Sequence, residues 1–479
     1  MIGISKYSYL LPTFRLPFQQ MDEFFGSKGR KGWKYVASFD EDSVTLATES
    51  AKRLLGPEGE KGIDALFFAS TTVPYSEGLH ANILVKALQQ SPHIQTADFA
   101  HSLKSSTAAL YTAFQILRGE NDKKVLVTAS DCRVGKINSL EEKEFSDGAV
   151  SFLMESGEGV AVELLHTYQL QDRDFFQWRK GNHVYVQRWE ERFGQYVSSQ
   201  LVRQAVAEFE QQTNMSLHHA NHIIVSAPTL KLQQQLEKQL RIPKQQLMYK
   251  ENLVLGHFGS ANGPLLFSLA LEQAKKGETI IWIQVGDGCD IFAFEVHKEI
   301  TPNGMNRTVL QDERYFKEVS YGQFLKWREL ISVDKGRRPD APIPSAPALK
   351  RNEEKVYSLV GSKCQTCGQV SYPKQRICSH CFSKDKIEPY SFYGKDGTIR
   401  TYTIDYLASS PSQPTVFAVV DIDGGGRMLL QLTDCDPHEV EIGRKVTFTF
   451  RRLYEAGGII NYYWKGTLKR GDRVEKIDT

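Results

Sequence analysis

The sequence predicts an α/β fold built from two similar halves, followed by a small β region that carries a cysteine cluster. Over about the first 330 residues, uninterrupted apolar runs alternate with amphipathic helix patterns, which is typical of buried, mainly parallel strands covered by helices. Four prolines and several charges then interrupt this pattern at 334–350, as in an extended linker. Beyond the linker, four of the seven cysteines lie within 18 residues.

A weak internal repeat supports the two halves. The segment DALFFAS at 64–70 is similar in type to NHIIVSAP at 221–228, and KKVLVTASDC at 123–132 is similar to ETIIWIQVGDGC at 278–289. Each member of the second pair follows a helix pattern of similar composition. Two strand–helix units of this kind in one chain predict a duplicated α/β domain.

Composition excludes several classes of function. A net charge of +2 over 479 residues gives no strong field to attract nucleic acid or an anionic membrane. No apolar run reaches the roughly 18–20 residues that cross a bilayer, and the first residues do not resemble a signal peptide. The clustered cysteines favour a metal site in a reducing compartment over disulfides. We therefore expect a soluble cytoplasmic protein that binds neither nucleic acid nor a membrane.

The cysteine cluster has the spacing of a metal site. Its pattern, Cys-x2-Cys-x10-Cys-x2-Cys, predicts two knuckles that supply four thiolates to a structural Zn²⁺ ion. A redox Cys-x2-Cys pair would not need the second pair at this distance. His380 lies between two of the cysteines, and because four sulfurs complete the shell we expect it to be exposed. The predicted ligands are Cys364, Cys367, Cys378 and Cys381.

Short β patterns follow the cysteines. They lie at 397–407, 415–434, 445–454 and 459–468 and predict a five-stranded OB-type barrel. OB folds often bind nucleic acid, and the aromatic residues here could stack on bases. Basic residues are few and mixed with acidic ones, however, so these aromatics are expected to form the barrel core.

A polar turn at the start of a helix is the candidate catalytic feature of the large region. ADFAHSLKSSTAAL at 97–110 predicts the end of a buried strand, a tight turn and a helix start. The free N–H groups and dipole of such a helix start lower a thiol pKa and suit a nucleophile. The turn contains no cysteine; its central residues are Ser102, Leu103, Lys104 and Ser105.

These segments resemble the thiolase superfamily, within it the HMG-CoA synthase and ketoacyl synthase III branch, nearly continuously from residue 1 to about 298. The resemblance implies a duplicated five-layer fold and a homodimer. It rests on 1–16, 39–55, 68–88, 105–110, 125–135, 144–154 and 255–296. We expect an N-terminal half at 1–166 and a C-terminal half at 167–300. An extension with the linker follows at 301–350, then a zinc ribbon at 351–390 and an OB fold at 391–479.

The resemblance also suggests where the site residues lie. Aligned on Lys104 and Thr107, the family's acyl-carrying cysteine corresponds to Leu103, which cannot form a thioester; a one-residue slip would place Ser102 there. Serine without an adjacent base is a poor substitute for the cysteine. Leu103 and Lys104, together with Gly256 and Gly259 of a later turn, are expected to contact the substrate.

Two later turns carry the family's remaining catalytic positions. Its histidine corresponds to Ser226 in VSAPT, and its asparagine or histidine corresponds to His257 in GHFG, flanked by Gly256 and Gly259. His257 is the first candidate for a general base, with Tyr75 or Glu77 as remoter alternatives. A lone histidine on a glycine-flanked turn can equally be a hydrogen-bonded structural residue.

The C-terminal region resembles the zinc-ribbon/OB-fold domain that accompanies acyl-CoA-handling thiolase-like proteins, often as a separate subunit. Together the two resemblances imply a coenzyme A thioester substrate. The backbone N–H groups of the turn at 102–106 could hold an oxyanion. They suit carbon–carbon bond chemistry through an enolate, as an HMG-CoA synthase-like acyltransferase or a cysteine-independent aldolase.

Two alternatives to an enzyme remain open. The chain could be a non-catalytic acyl-CoA-binding or scaffold subunit that partners a cysteine-containing thiolase, which Leu103 and Ser226 favour. It could also be a nucleic-acid or partner-binding module built on the ribbon and barrel, which salt-dependent binding would reveal.

Overall fold

The computed structural model describes residues 1–120, 122–173, 176–181, 183–188, 190–247, 255–334, 341–408 and 410–469. The helices are α1 Phe18–Phe24, α2 Ser43–Leu55, α3 Ala81–Ala87, α4 Ser105–Gly119, α5 Leu140–Glu144, α6 Glu191–Thr213, α7 Leu230–Gln239, α8 Asn262–Leu271, α9 Arg307–Gln311, α10 Tyr321–Trp327, α11 Ala346–Arg351 and α12 Glu353–Val356.

The strands follow the same order along the chain. They are β1 Ile2–Leu10, β2 Phe14–Pro17, β3 Trp33–Val36, β4 Ala65–Ser70, β5 Gln95–Ala100, β6 Lys124–Asp131, β7 Gly148–Ser156, β8 Val162–Gln171, β9 Gln177–Trp178, β10 Gln187–Arg188, β11 His222–Ser226, β12 Thr279–Val285, β13 Gly288–Val296, β14 Lys317–Glu318, β15 Val360–Cys364, β16 Val370–Ser371, β17 Ile387–Ser391, β18 Asp396–Asp405, β19 Thr415–Ile422, β20 Arg427–Leu432, β21 Lys445–Ala456 and β22 Ile459–Leu468.

A nine-stranded sheet forms the α/β part, in the order β11-β12-β13-β8-β1-β7-β6-β4-β5. Strands β4 and β6 are parallel neighbours and β7 runs antiparallel to β6; in the other half, β11, β12 and β13 repeat this arrangement. The halves meet where Gly3 pairs with Glu163. In the internal repeat, β4 is therefore equivalent to β11, and β6 is equivalent to β12. The expected boundary between residues 166 and 167 falls inside β8.

Two helices pack against the sheet between the halves. Helix α8 is buried at every residue, as expected for a helix that is apolar on all sides, and it contacts strands of both halves. Helix α4 buries Ala109, Ala113 and Phe114 against the first half. These helices begin at the turns where the sequence places the candidate site residues. Within the described ranges, every helix is too short or too polar to cross a membrane.

The C-terminal part contains both predicted small units. Strands β16, β15 and β17 form the ribbon sheet, and β18, β19, β20, β22 and β21 close into a barrel, which confirms the OB-type architecture. The barrel packs on helix α2, where Lys52 Nζ donates to the carbonyl oxygen of Phe448. Its aromatic core includes Phe450, Tyr462 and Trp464, as the sequence predicts for the barrel aromatics.

Candidate active-site cleft

A narrow cleft opens where several strands of the two halves end. Strands β5, β11 and β12 end at Ala100, Ser226 and Val285, and ligands of α/β sheets bind at such carboxyl ends. The cleft has a volume of about 80 Å³, well below that of a typical ligand pocket. It is lined by Thr71, His101, Ser102, Leu103, Arg133, Val134, Phe176, Gln177, Trp178, Arg179, Val186, Pro228, Gly286 and Asp287.

Leu103 occupies the turn between β5 and α4, as the sequence predicts. Its side chain lines the cleft but is only 4% exposed, because it packs against the β12–β13 turn. A Cβ atom on Gly286, whose φ is +143°, would lie 3.3 Å from Leu103 Cβ. The leucine is thus well packed at the start of α4. Since it has no nucleophilic atom, this position cannot carry an acyl group.

Ser102 and Asp287 form a polar pair beside Leu103. Ser102 Oγ donates to Asp287 Oδ2 at 2.7 Å and accepts from the N–H of Lys104 at 3.2 Å. Asp287 is exposed in the turn between β12 and β13, with a φ of +49°. This bond joins the two halves inside the cleft. The sequence analysis missed Asp287, although it stands in the repeated segment, directly after a buried strand.

His101 is a second residue that the sequence analysis missed. It is exposed, lines the cleft and has a φ of +75°, an uncommon conformation for a residue with a side chain. Its N–H donates to the carbonyl oxygen of Ser70 at 3.3 Å. The only signal in the sequence is its place beside Ser102 in the same turn.

Lys104 lies beneath the turn and is not among the lining residues. Its Nζ contacts Asp290 Oδ1 and Gln171 Oε1, each at 2.8 Å, and Thr107 Oγ1 donates to Asp290 Oδ2 at 2.7 Å. Asp290 belongs to β13 and Thr107 to α4. The lysine therefore ties the start of α4 to the other half of the molecule.

His257 is buried behind the cleft and uses both ring nitrogens. It is 1% exposed; its Nε2 lies 2.8 Å from the carbonyl oxygen of Ala227, and its Nδ1 accepts from the N–H of Gly259 at 3.0 Å. This pattern fixes a neutral ring with the proton on Nε2. Burial, followed by the charge of Arg133, lowers the pKa of His257 to about 3. The imidazole is therefore uncharged at neutral pH and has no free nitrogen.

Ser226 lies next to the His257 turn. Its Oγ accepts from Asn262 Nδ2 at 3.0 Å, and Asn262 Oδ1 accepts from the N–H of Phe258 at 3.3 Å. The structure thus brings Ser226 and His257 together in one buried network, apart from Ser102. Neither Ser226 nor His257 lines the cleft.

Gly256 and Gly259 give this turn its shape, with φ values of +76° and +63°. A Cβ on Gly259 would lie 2.0 Å from Asp131 Oδ2. Asp131 is fully buried and accepts five hydrogen bonds of 2.6–2.9 Å, including one from the N–H of Ser260. The sequence analysis missed this residue, which is the last of the buried strand β6 in the repeated segment.

The two remoter base candidates do not lie at the cleft. The hydroxyl of Tyr75 accepts from the N–H of Ile460 at 2.7 Å, which places it against barrel strand β22. Glu77 is exposed. Neither is among the described residues that line the cleft.

The four predicted metal ligands lie together in the ribbon. Their sulfur atoms are all within 4.8 Å of one another, and the Cys364–Cys381 and Cys367–Cys378 Sγ distances are 3.6 Å. A tetrahedral zinc site with Zn–S bonds of about 2.3 Å requires S–S distances of roughly 3.8 Å. The thiolate set therefore fits zinc. His380 is exposed, as predicted.

Two family models match the C-terminal part of the chain. They are the rubredoxin-like zinc ribbon domain of ChsH2 at 351–386 and the C-terminal OB-fold domain of ChsH2 at 391–451. A DUF35 domain-containing scaffold protein of Methanothermobacter thermautotrophicus is 40% identical over 114 residues, 23% of this chain and 85% of that protein.

The α/β part matches a different group of proteins. Hydroxymethylglutaryl-CoA synthase of Thermococcus gammatolerans is 26% identical over 304 residues, 62% of this chain and 86% of that protein. A crystal structure of HMG-CoA synthase complexed with CoA has a TM-score of 0.62 at 19% identity, covering 72% of this chain and 95% of that one. The structure of 3-oxoacyl-(acyl carrier protein) synthase III from Pseudomonas aeruginosa has a TM-score of 0.56 at 14% identity, covering 63% and 99%.

Fold and cleft together define a thiolase-fold protein with a C-terminal zinc ribbon and OB barrel, which confirms the predicted fold class. The α/β part is homologous to hydroxymethylglutaryl-CoA synthases. Through its C-terminal part, the chain belongs to the DUF35 domain-containing proteins, and this part matches the zinc ribbon and OB-fold domain models of ChsH2.

Proposed function

We propose that the chain is an HMG-CoA synthase-like enzyme that makes or breaks a carbon–carbon bond next to a coenzyme A thioester, without an acyl-cysteine. The observation that carries the proposal is the position of Leu103. It replaces a nucleophile at the start of α4, yet the cleft around it retains Ser102, Asp287 and Arg133. Homology to HMG-CoA synthases supports a CoA thioester as the substrate class.

The polar groups of the cleft suit chemistry through an enolate. Helix α4 begins without a side-chain cap; the N–H of Ser105 donates to the carbonyl oxygen of Ser102 at 3.0 Å, so the other N–H groups of the first turn are the ones that would stabilise a thioester enolate oxygen. In the cleavage direction, Asp287 takes the proton of a β-hydroxyl group. The Cα–Cβ bond then breaks, a carbonyl product forms, and the electron pair passes to the enolate, which is protonated to the shortened thioester. Condensation is the reverse sequence; an acyltransferase would instead add the enolate to the carbonyl of a second thioester, whose C–S bond breaks to release coenzyme A as the free thiol.

Asp287 is a better base than His257 because its carboxylate reaches the cleft. Both nitrogens of His257 are bonded to backbone groups, so we assign His257 and Ser226 the role of holding the 256–259 turn beside the cleft. Ser102 orients the Asp287 carboxylate through its 2.7 Å hydrogen bond.

The test is turnover by the purified full chain. Acetyl-, acetoacetyl- and β-hydroxyacyl-CoA thioesters are incubated with it and products are read by mass spectrometry. Asp287→Asn is expected to lower the rate by about 100-fold or more, as loss of a general base does. Asp423→Asn, on an exposed aspartate paired with Lys445 in the barrel, is the matched control and should keep full activity.

Two further variants separate the mechanisms. The wild-type protein should turn over thioesters without the nucleophile that Leu103→Cys would supply. His257→Ala tests whether the buried histidine has more than a positioning role. A rate that survives Asp287→Asn but is abolished by His257→Ala would contradict the assignment of the base. An absence of turnover despite measurable CoA binding would contradict the enzyme function itself.

A second candidate function is a non-catalytic acyl-CoA-binding or scaffold subunit for a cysteine-containing thiolase. It is favoured by Leu103, by the engaged nitrogens of His257, and by the likeness to DUF35 domain-containing scaffold proteins, at 40% and 35% identity. If this function holds, the pure chain is inactive, and thioester turnover appears only when a cysteine-bearing thiolase is added and co-purifies with it.

We also propose that four cysteines of the ribbon hold a structural zinc ion and that the chain forms a homodimer. Strand β5 is an edge of the large sheet and its residues are mostly half-buried, so a second copy can extend the sheet there. Light scattering at twice the chain mass would support the dimer. None of the seven cysteines, all of which lie in the described ranges, forms a disulfide, which supports a cytoplasmic location. We also propose domain limits at 1–166, 167–300, 301–350, 351–390 and 391–479.

A further inference from the structure

Arg133 is a buried cation in the cleft wall with unused hydrogen-bonding capacity. Its side chain is buried, the residue is 5% exposed, and its Nη1 has no hydrogen-bond partner among the described residues. Within the same ranges its guanidinium makes one polar side-chain contact, a long one from Nη2 to Gln177 Oε1 at 3.4 Å. Among the described residues no carboxylate oxygen lies within 4.0 Å of this guanidinium.

The guanidinium is held in place by apolar packing. Its Cζ atom lies 3.9 Å from the centre of the Phe145 ring, and a Cβ atom on Gly259 would lie 2.8 Å from its Cδ atom. The nearby carboxylate of Asp131 is already saturated by five hydrogen bonds. Arg133 is therefore fixed in orientation but lacks the anion that usually accompanies a buried arginine.

The surroundings reinforce the positive charge. Arg179 also lines the cleft, and Arg188 is paired with Glu141 at 3.1 Å while its buried Nε and Nη2 atoms have no hydrogen-bond partner among the described residues. Burial, only partly offset by the charge of Asp131 and reinforced by these two arginines, lowers the pKa of Arg133 to about 10, so it stays charged at neutral pH. A desolvated cation of this kind is stabilised by a bound anion, and a carboxylate matches its fork with two parallel hydrogen bonds.

We propose that Arg133 binds a carboxylate on the acyl chain, so that the cleft selects coenzyme A thioesters whose acyl group carries a free carboxylate. This inference rests on the proposed CoA-thioester function. A neutral acyl chain would leave the guanidinium unpaired and dehydrated. Arg133 is therefore a specificity-determining residue, distinct from the proton-accepting role assigned to Asp287.

The experiment is calorimetric binding to the full chain of matched thioesters that differ only at the chain end. The pairs are malonyl-CoA with propionyl-CoA and glutaryl-CoA with pentanoyl-CoA, with free CoA as reference. At least one carboxylated member should bind about tenfold tighter than its neutral partner. Arg133→Gln should reduce this preference to about twofold or less, and Arg133→Lys should retain part of it.

The control variant is Arg314→Gln, on an arginine whose side chain is 91% exposed and which does not line the cleft. It should keep the wild-type preference. Equal affinity for the members of both pairs in the wild-type protein overturns the inference even if Arg133→Gln does not fold, and leaves the proposed function standing. A wild-type protein that binds neither free CoA nor any thioester overturns the proposed function and this inference together.

Discussion

Asp131 shows how much of the candidate site depends on one carboxylate. It joins the end of β4 to the start of α8 through bonds from Ser70, Thr71, Thr72 and Ser260. All five donors point at two oxygen atoms in a fully buried position. The geometry of the cleft wall is therefore set by a residue that does not itself line the cleft.

Asp131→Asn should destabilise the fold markedly. An amide NH₂ group in place of one oxygen would face N–H and O–H donors and leave them unsatisfied, a loss of about 3 kcal/mol. Urea unfolding followed by circular dichroism measures this free energy. Asp423→Asn, at an exposed ion pair, should change it by about 0.5 kcal/mol or less, and similar losses for the two variants would contradict the assigned role.

His257 gives a prediction with a defined pH window. Its pKa is lowered from 6.5 to about 3 by burial and Arg133, so between these values the unfolded chain binds more protons than the folded one. Its contribution to the free energy of unfolding is present above pH 6.5 and is lost as pH falls toward 3, by up to about 1.4 kcal/mol per pH unit.

The measurement compares His257→Gln with the wild-type protein in urea unfolding from pH 6.5 to 4. The stability of the variant should fall less steeply with decreasing pH, so the difference between the two proteins should shrink. His93→Gln, on an exposed histidine, should follow the wild-type slope. If the difference in free energy of unfolding between His257→Gln and the wild-type protein stayed constant, the ring would carry the same charge in the folded and unfolded chains. Folding would then not lower its pKa.

At the scale of single elements, the ribbon is the part whose stability is expected to depend most on an ion. Its sheet consists of β15, β16 and β17 with few buried residues, so the four thiolates must supply much of its folding energy. Cys378→Ser should lose bound zinc and order in the ribbon. Elemental analysis gives the zinc content, and Cys435→Ser, outside the cluster, should retain one zinc per chain.

The elements near the site also show what could be predicted from sequence. The turn before α4 and the four zinc ligands follow from local patterns, because the change from an apolar run to polar residues and the ligand spacing are both encoded within a few residues. The match of β4 with β11 follows from apolar runs of similar type. These features required no knowledge of tertiary packing.

The remaining site residues depend on contacts between distant segments. Asp287 bonds to Ser102, which lies 185 positions away in the sequence. Arg133 lines the cleft while packed on Phe145 and beside Gly259. The sequence predicted His257 as a candidate general base, because its turn carries the family's pattern. That its nitrogens bond to Ala227 and Gly259 could not be read from the pattern, because the bonds depend on how two loops pack.

At the scale of the whole molecule, a buried ionic cluster joins the barrel to the α/β part. Arg451 of β21 contacts Asp40 at 3.1 Å, Glu41 at 2.9 Å and Asp434 at 2.6 Å, and Lys465 of β22 contacts Asp40 at 2.9 Å. Three carboxyl groups thus share two cations away from water. The barrel is therefore fixed on the loop that precedes α2 rather than tethered only through the linker.

The cluster makes the attachment of the barrel dependent on pH. Burial, only partly offset by Arg451 and reinforced by the charges of Asp434 and Asp40, raises the pKa of Glu41 from 4.5 to about 8. The folded chain therefore binds more protons than the unfolded chain between these values. The contribution of Glu41 is fully present below pH 4.5 and is lost as pH rises through 8.

Glu41→Gln should remove this loss, because glutamine keeps the neutral form at every pH. The free energy of unfolding of the variant, relative to the wild-type protein, should rise between pH 5 and pH 8 and then level off. Glu77→Gln, on an exposed glutamate of the α/β part, provides the control and should track the wild-type protein. If the Glu41→Gln difference stayed flat or fell over this range, Glu41 would be ionised in the folded state, and the cluster would hold the barrel as a fully charged network.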